Sequence, residues 1–495
     1  MKKWFILSAL FMLFASCSTE QNVATLLYFN DAHEISPVND QLGSRGGIAR
    51  LKTVIDSIRE SNSETLLLFG GDLGGGTLFG AVYKGFPMVE AFNLIAVDIA
   101  NFGQHDFDFG PQITRKLVQN SKFQWLTSNL VDENKKPFAG LPSHLVKSFR
   151  NIKIGFIALT DAMNTTTYSK QISQKPLLSS AYQAIKNLKE KKVDLIVALT
   201  QTDRKMNEQL LIQMKEIDLI FSEENYENSS TIYYIGHRPI ITPCGNMGSL
   251  IQVDIKKSAG DISIHLSVHP VDESVPEDDQ LADFQNLYQD SLEKKLSQPI
   301  AETIQFLDAG VNSDFKCRWT ETNIGNLITD SYRDYHRANI AVLNGGGIRD
   351  NIAKGWITLR DTWSVLPFGN KVCLIRISGK DILHMLEHGV ASVESHNGAF
   401  LQISGAKYRY SREKNIGQRI TSVSIGNSRL KLDQLYTLAL PDFILNGGND
   451  YTFLSKVDVL VPAQEAPRDI DIFSDYCREK KIIDYSVEGR ITIIE

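Results

Sequence analysis

The sequence predicts two domains, an α/β fold followed by an α+β fold, and three observations lead there. In the first half, short apolar runs stopped by Gly or polar residues alternate with helical patterns. A polar, helix-prone segment at 277–297 then interrupts the pattern. Beyond about residue 300, helices and strands mix with several Gly-rich turns. Residues 25–29, 64–69, 193–199 and 217–221 read as buried strands, because brief apolar runs cut off by turn residues fit strands better than helices. Within 48–58, Ile48, Leu51, Val54, Ile55 and Ile58 recur at helical spacing and mark one apolar face. Strand–helix alternation argues for an α/β domain, whose sites gather where strands end. The segment 277–297 carries Glu277, Asp278, Asp279, Asp283 and Asp290 and reads as an exposed linker helix.

The chain has 495 residues, 52 Lys+Arg against 58 Asp+Glu and a net charge of −6, with 42% apolar and 22% charged residues. This balance excludes a disordered chain, a fibre and a polytopic membrane protein. With no Lys/Arg block, a nucleic-acid partner is not expected, since that affinity comes from clustered cations. Lys2 and Lys3 precede an apolar run from Trp4 to Ala15. The run is too short to span a bilayer and fits a secretory signal. It closes on Phe14, Ala15, Ser16 and Cys17, resembling a bacterial lipoprotein signal in which the cysteine is lipidated. The expectation is a signal peptide at 1–16, a lipidated tether at 17–24, and an exported protein held to an envelope membrane through Cys17. Cys244, Cys317, Cys373 and Cys477 form no Cys-x-x-Cys motif and are expected as buried free thiols.

Chemistry-bearing residues cluster just after the predicted strands. Asp31-Ala32-His33 follows the first, Asp72 the second, and Gln104-His105-Asp106-Phe107-Asp108 follows the apolar stretch 95–102. Carboxylates, imidazoles and amides converging at strand ends are a donor set for divalent ions, which neutralise a phosphate and acidify water. In the second half, the turns Asn344-Gly345-Gly346-Gly347 and Gly447-Gly448-Asn449-Asp450-Tyr451 permit close backbone approach to a ligand. Arg318 and Arg349 can hold a carboxylate or phosphate. Phe368 and Phe443 can clamp a flat base.

Asn30-Asp31-Ala32-His33, Gly71-Asp72 and Gly103-Gln104-His105-Asp106-Phe107-Asp108-Phe109-Gly110 resemble, in order, the calcineurin-like metallophosphatases, and specifically the two-domain bacterial 5'-nucleotidase family. Thr322-Asn323-Ile324-Gly325-Asn326-Leu327, Asn344 to Arg349, Pro367 to Asn370 and Gly447 to Tyr451 are similar to that family's C-terminal domain. The likeness implies an α/β sandwich of two sheets flanked by helices at 25–276, a linker helix and candidate hinge at 277–300, and a nucleotide-binding α+β domain at 301–495. By the same likeness Asp31, His33 and Asp72 bind metal, joined by Gln104, Gln201 and Glu224 at the remaining ligand positions. His105 and Asp108 form the catalytic pair. Phe368 and Phe443 sandwich the base, Asn370 hydrogen-bonds it, Arg318 and Arg349 hold ribose-side or terminal groups, and Gly447 and Asn449 shape the ribose end. One or two divalent ions (Mn²⁺, Mg²⁺, Ca²⁺ or Zn²⁺) are implied as cofactors, and a nucleotide or related phosphoester as substrate.

The chain departs from the pattern where the family has Asn, His and His-containing segments: here stand Gln104, Gln201 and Glu223-Glu224-Asn225-Tyr226. Asn449 also replaces an acidic residue. Oxygen donors in place of imidazoles shift preference toward Mn²⁺, Mg²⁺ or Ca²⁺ over Zn²⁺. Two functions therefore stand: a phosphoesterase that releases nucleosides from nucleotides, or a catalytically weakened or silent nucleotide-binding protein.

Overall fold

The structure is a computed structural model and describes residues 23–40, 43–161, 163, 171–258, 260–311, 314–463 and 465–494. The expected signal peptide and Cys17 lie outside the described residues. The chain divides into two compact units. The first takes the described residues through Ala282 apart from Gly76–Val82; the second takes Gly76–Val82 and Asp283 onward. The division falls inside the helix Asp279–Leu296, which covers most of the segment read as a linker.

The first unit is an α/β sandwich, as expected. One six-stranded sheet runs in the order Asp261–Pro270, Ser249–Ser258, Val23–Phe29, Thr65–Phe69, Ile99–Ala100, Gln124–Trp125. The other runs Thr231–Ile235, Arg238–Thr242, Leu219–Ser222, Leu195–Gln201, Ile152–Thr160, Leu145–Phe149. The central strands of both are parallel and apolar on both faces, the usual signature of a sheet covered on each side. Along Val23–Phe29, Ala24, Leu26 and Tyr28 face the inter-sheet core with Phe156, Val197, Leu199 and Phe221. Phe29, of opposite parity, instead meets Phe69 and Phe92, the latter on the helix Phe86–Leu94. The helix Ile48–Ser61 buries Ile48, Leu51, Ile55 and Ile58, four of the five residues read as its apolar face. Helices Leu177–Glu190 and Arg204–Gln213 cover the outer face of the second sheet.

The second unit centres on a five-stranded sheet in the order Leu401–Ser404, Ile340–Asn344, Leu435–Pro441, Val372–Ser378, Asp458–Val461. Strand alternation feeds two cores. Ile340 and Val342 pack with the helix Gly379–Val390, while Ala341 and Leu343 pack with the helices Asn323–His336 and Asp469–Lys480. The Thr322-Asn323-Ile324-Gly325-Asn326 motif holds this scaffold together. Thr322 caps its helix through Gly325 N–H. Asn323 donates to the Phe306 and Tyr485 carbonyls, and Asn326 to Glu321. Cys244, Cys317, Cys373 and Cys477 are buried free thiols. Among the described residues no helix is long and apolar enough to cross a membrane.

Candidate functional site

In the first unit, parallel strands deliver their carboxyl ends to one edge of the sandwich, and loops carry the chemistry from there. Asp31 and Asp72 follow the ends of neighbouring strands, and both have left-handed backbones, φ 47° and 67°. Non-glycine residues in that region are held there by their surroundings and cluster at functional sites. Asp31, His33 and Asp72 each offer one ligand atom, and these atoms lie within 4.8 Å of one another. Among the described residues this is the group of carboxylates, imidazoles or thiols close enough to share an ion. Asp31 Oδ2 is buried with no hydrogen-bond partner, a cost that a cation would remove. Burial, and then the neighbouring His105, lower the His33 pKa to about 4, so His33 is a neutral nitrogen donor at pH 7. Two carboxylates and a neutral imidazole suit a divalent first-row ion.

The loops are pinned by a residue that the sequence reading passed over. Asp106 is 2% exposed and accepts backbone N–H bonds from Asp72 (3.1 Å), Leu73 (2.9 Å) and Gly103 (2.9 Å). It thus ties the 70–73 loop to the 103–106 loop. A Cβ at Gly103 would collide with the Asp72 carboxylate, and one at Gly75 with Asp108, so these glycines make room for acidic side chains. Asp72 Oδ1 in turn accepts His105 N–H at 2.8 Å.

His105 stands beside the triad, its ring centroid 5.6 Å from that of His33 and nearly perpendicular to it. Its Nδ1–H donates to Asp108 Oδ2 at 2.9 Å. That hydrogen bond, opposed by burial and helped by the Asp72 charge, raises the His105 pKa to about 9. The imidazolium is oriented by Asp108 and keeps Nε2–H for a partner, as an acid or electrostatic stabiliser requires. Gln104 immediately precedes His105.

Gln201 and Glu224 come together through Asn30, another residue not singled out as a ligand. Gln201 Nε2 donates to Asn30 Oδ1 at 2.9 Å, and Asn30 Nδ2 donates to Glu224 Oε2 at 3.0 Å. Burial raises the Glu224 pKa to about 7. These positions therefore form a side-chain chain beside the triad. Tyr226 is 55% exposed.

In the second unit, sheet register explains why distant motifs meet. Ile340–Asn344 and Leu435–Pro441 are parallel neighbours, so Gly345–Arg349 and Phe443 leave from the same sheet end. Val372–Ser378 runs antiparallel to Leu435–Pro441, so Phe368 and Asn370 enter at that end. Lys371 and Asp442 exchange two hydrogen bonds (2.7 and 2.9 Å) that join the Asn370 and Phe443 loops. Arg349 lies over the Phe368 ring, 5.7 Å from its centroid. Phe443 packs on Gly448, where a Cβ would strike the ring. Asn449 Oδ1 accepts from Asn344 Nδ2 at 3.0 Å, and its carbonyl from His388 Nε2 at 2.8 Å. Gly447 holds φ 92° ahead of it. Asn370 Nδ2 reaches Asp469 at 3.3 Å. Arg318 lies over Phe315 and donates to the His396 carbonyl, while its Nε is buried without a partner. Phe368 and Phe443 are 59% and 43% exposed, unusual for large apolar rings and fitting for surfaces that receive a flat ligand.

Residues 299–456 match the family model of the 5'-nucleotidase C-terminal domain. Human 5'-nucleotidase is 26% identical over 94% of this chain and 90% of its own. The crystal structure of a 5'-nucleotidase precursor from Thermus thermophilus is 26% identical, covers 95% of this chain and 99% of that one, and superposes with a TM-score of 0.61. NAD nucleotidase from Haemophilus influenzae shares the fold at 16% identity, over 95% of this chain and 99% of its own, with a TM-score of 0.61. The chain is thus similar to the two-domain 5'-nucleotidases over nearly its whole length, with a match to their C-terminal domain at residues 299–456.

Proposed function

We propose that the chain is a metal-dependent phosphoesterase that hydrolyses nucleotide phosphoesters to nucleoside and phosphate. The observation that carries this reading is the convergence of Asp31, His33 and Asp72 ligand atoms within 4.8 Å of one another, beside an imidazolium held by Asp108. A divalent ion bound there supplies charge neutralisation and a more acidic water. Asp31, His33 and Asp72 hold that ion, and the oxygen-rich surroundings of Gln104, Gln201 and Glu224 favour Mn²⁺ or Mg²⁺. His105 donates from Nε2 to a phosphoryl or leaving-group oxygen, while Asp108 fixes the ring and keeps it charged. In the second unit, Phe368 and Phe443 take the base by stacking, Asn370 and Asn449 offer amide contacts, and Arg318 and Arg349 hold charged or ribose-side groups. The domains run 25–276 and 301–495, with 277–300 between them.

Phosphate release from AMP by the purified chain tests this. Activity is expected with Mn²⁺, none with chelator, and a rate about 10²–10⁴-fold lower from His105→Ala. The second reading, a silent nucleotide binder, is favoured by one observation: Gln201, Asn30 and Glu224 bond to each other. It predicts nucleotide-dependent thermal stabilisation with no turnover under any metal. The basic start, apolar run and Cys17 support export and lipidation; incorporation of labelled palmitate, lost in Cys17→Ala, tests them.

A further inference from the structure

We propose a second anion site in the second unit, away from the base-stacking loops, that binds clustered phosphate groups, carried either on one ligand or side by side on a surface. A cavity of about 850 Å³ is lined by Arg333, Lys407, Arg429, Lys431 and Arg490, with Asp330 and Glu488 as its carboxylates. Its size falls in the range of small-ligand pockets. It opens at the start of the strand Ile340–Asn344, where Ala338 and Asn339 line it. The base-stacking loops leave from the other end of that strand, about 17 Å away at the usual rise per residue.

The floor is an ion-pair cluster of one cation and two carboxylates, Arg490 with Asp330 and Glu488. Arg490 is 7% exposed. It contacts both Asp330 oxygens, at 2.7 and 2.9 Å, and Glu488 at 3.0 and 2.9 Å. Both carboxylates of the lining are thereby committed to Arg490. The other four cations, Arg333, Lys407, Arg429 and Lys431, are exposed and make no ion pair with any described residue. A surplus of unpaired cations in one cavity, on a chain of net charge −6, attracts anions locally against the overall charge.

Arg333 is also placed rather than merely present. Its Nε donates to Ser404 Oγ at 2.7 Å, and Ser404 donates on to Asp330. The remaining guanidinium N–H groups are left for a bidentate partner, the geometry that suits phosphate. Gly405 makes this possible: it holds φ 77°, and a Cβ there would press on the Arg333 side chain and the Asn339 carbonyl. Lys407, Arg429 and Lys431 supply point charges around it, so a ligand with several phosphates gains more than one with a single group. The same chemistry is offered by free oligophosphate and by the headgroups of an anionic lipid surface.

The test uses the metal-loaded full chain with two probes, inorganic tripolyphosphate by calorimetry and phosphatidylglycerol–phosphatidylcholine vesicles by cosedimentation. The variants are the triple Lys407→Gln/Arg429→Gln/Lys431→Gln and the single Arg333→Gln, checked by melting curve. Because tripolyphosphate also meets the metal centre, Asp72→Ala serves as background. Binding that persists in Asp72→Ala, weakens with salt, and falls at least tenfold in the triple variant supports the site. Loss on the tripolyphosphate arm assigns a free ligand, and loss confined to vesicles assigns headgroups. If neither probe distinguishes wild type from the triple variant and from Arg333→Gln, the proposal is overturned.

Discussion

Gly103→Ala adds one methyl group, changes no charge, and should disable the metal centre. A Cβ at this position would stand 2.6 Å from Asp72 Oδ2 and closer still to Oδ1, against 3.4 Å or more for ordinary contact. The Asp72 carboxylate must therefore withdraw by about 1 Å, and a misplacement of that size at a reacting centre costs on the order of 100-fold in rate. The backbone at Gly103 has ordinary φ, so strain comes from the side chain alone. Overpacking of this kind costs about 1–3 kcal/mol, which lowers Tm by roughly 2–12 °C for a unit of this size. Phosphate release, metal content after gel filtration and a melting curve measure the three effects together. Retention of metal and of at least half the wild-type rate would show that Asp72 does not need its observed position.

His105→Ala should cut kcat by about 10²–10⁴-fold with little change in KM, and Asp108→Asn by about 10–100-fold, both read from AMP turnover. Phe443→Ala should raise KM for AMP about 5- to 150-fold, the loss of one stacking surface of about 1–3 kcal/mol. Burial pushes the Asp330 carboxyl up, but its bonds to Arg490 and Ser404 outweigh this and set its pKa below the ordinary value. A depressed folded pKa gives stability that is present above about pH 4 and lost as pH falls further. Asp330→Asn should therefore melt lower than wild type at pH 7, with the gap narrowing at pH 3. Burial raises Cys317, Cys373 and Cys477 to about 12, so native protein should resist iodoacetamide and react fully once unfolded.

What could be read in the sequence was local. Asp31, His33, Asp72, His105 and Asp108 sit within a few residues of apolar runs, and a strand end is itself a short-range signal. The α/β alternation and the helical face within 48–58 followed from similar patterns. Long-range partnership could not be read. Asp106 looks like one more acid in a polar loop until Asp72 and Leu73, more than thirty residues earlier, donate to it. Asn30 has partners 171 and 194 residues away. Asn323 and Asn326 stand out in the sequence as part of a shared motif, and the fold shows their amides spent on backbone carbonyls and Glu321. The basic cavity is invisible because Arg333, Lys407, Arg429 and Lys431 are scattered along nearly a hundred residues. In each case the chemistry depends on which segments the fold brings together.

The bonds from Gln201 through Asn30 to Glu224 cross from one sheet of the sandwich to the other. Asn30 ends a strand of the first sheet, while Gln201 and Glu224 end strands of the second. Asn30 accepts from Gln201 and donates to Glu224, so an apolar side chain at position 30 would leave both without that partner, whereas a replacement at 201 that still donates or at 224 that still accepts would not. Across a collection of relatives position 30 should accordingly keep a side chain that both accepts and donates, wherever 201 carries a donor and 224 an acceptor.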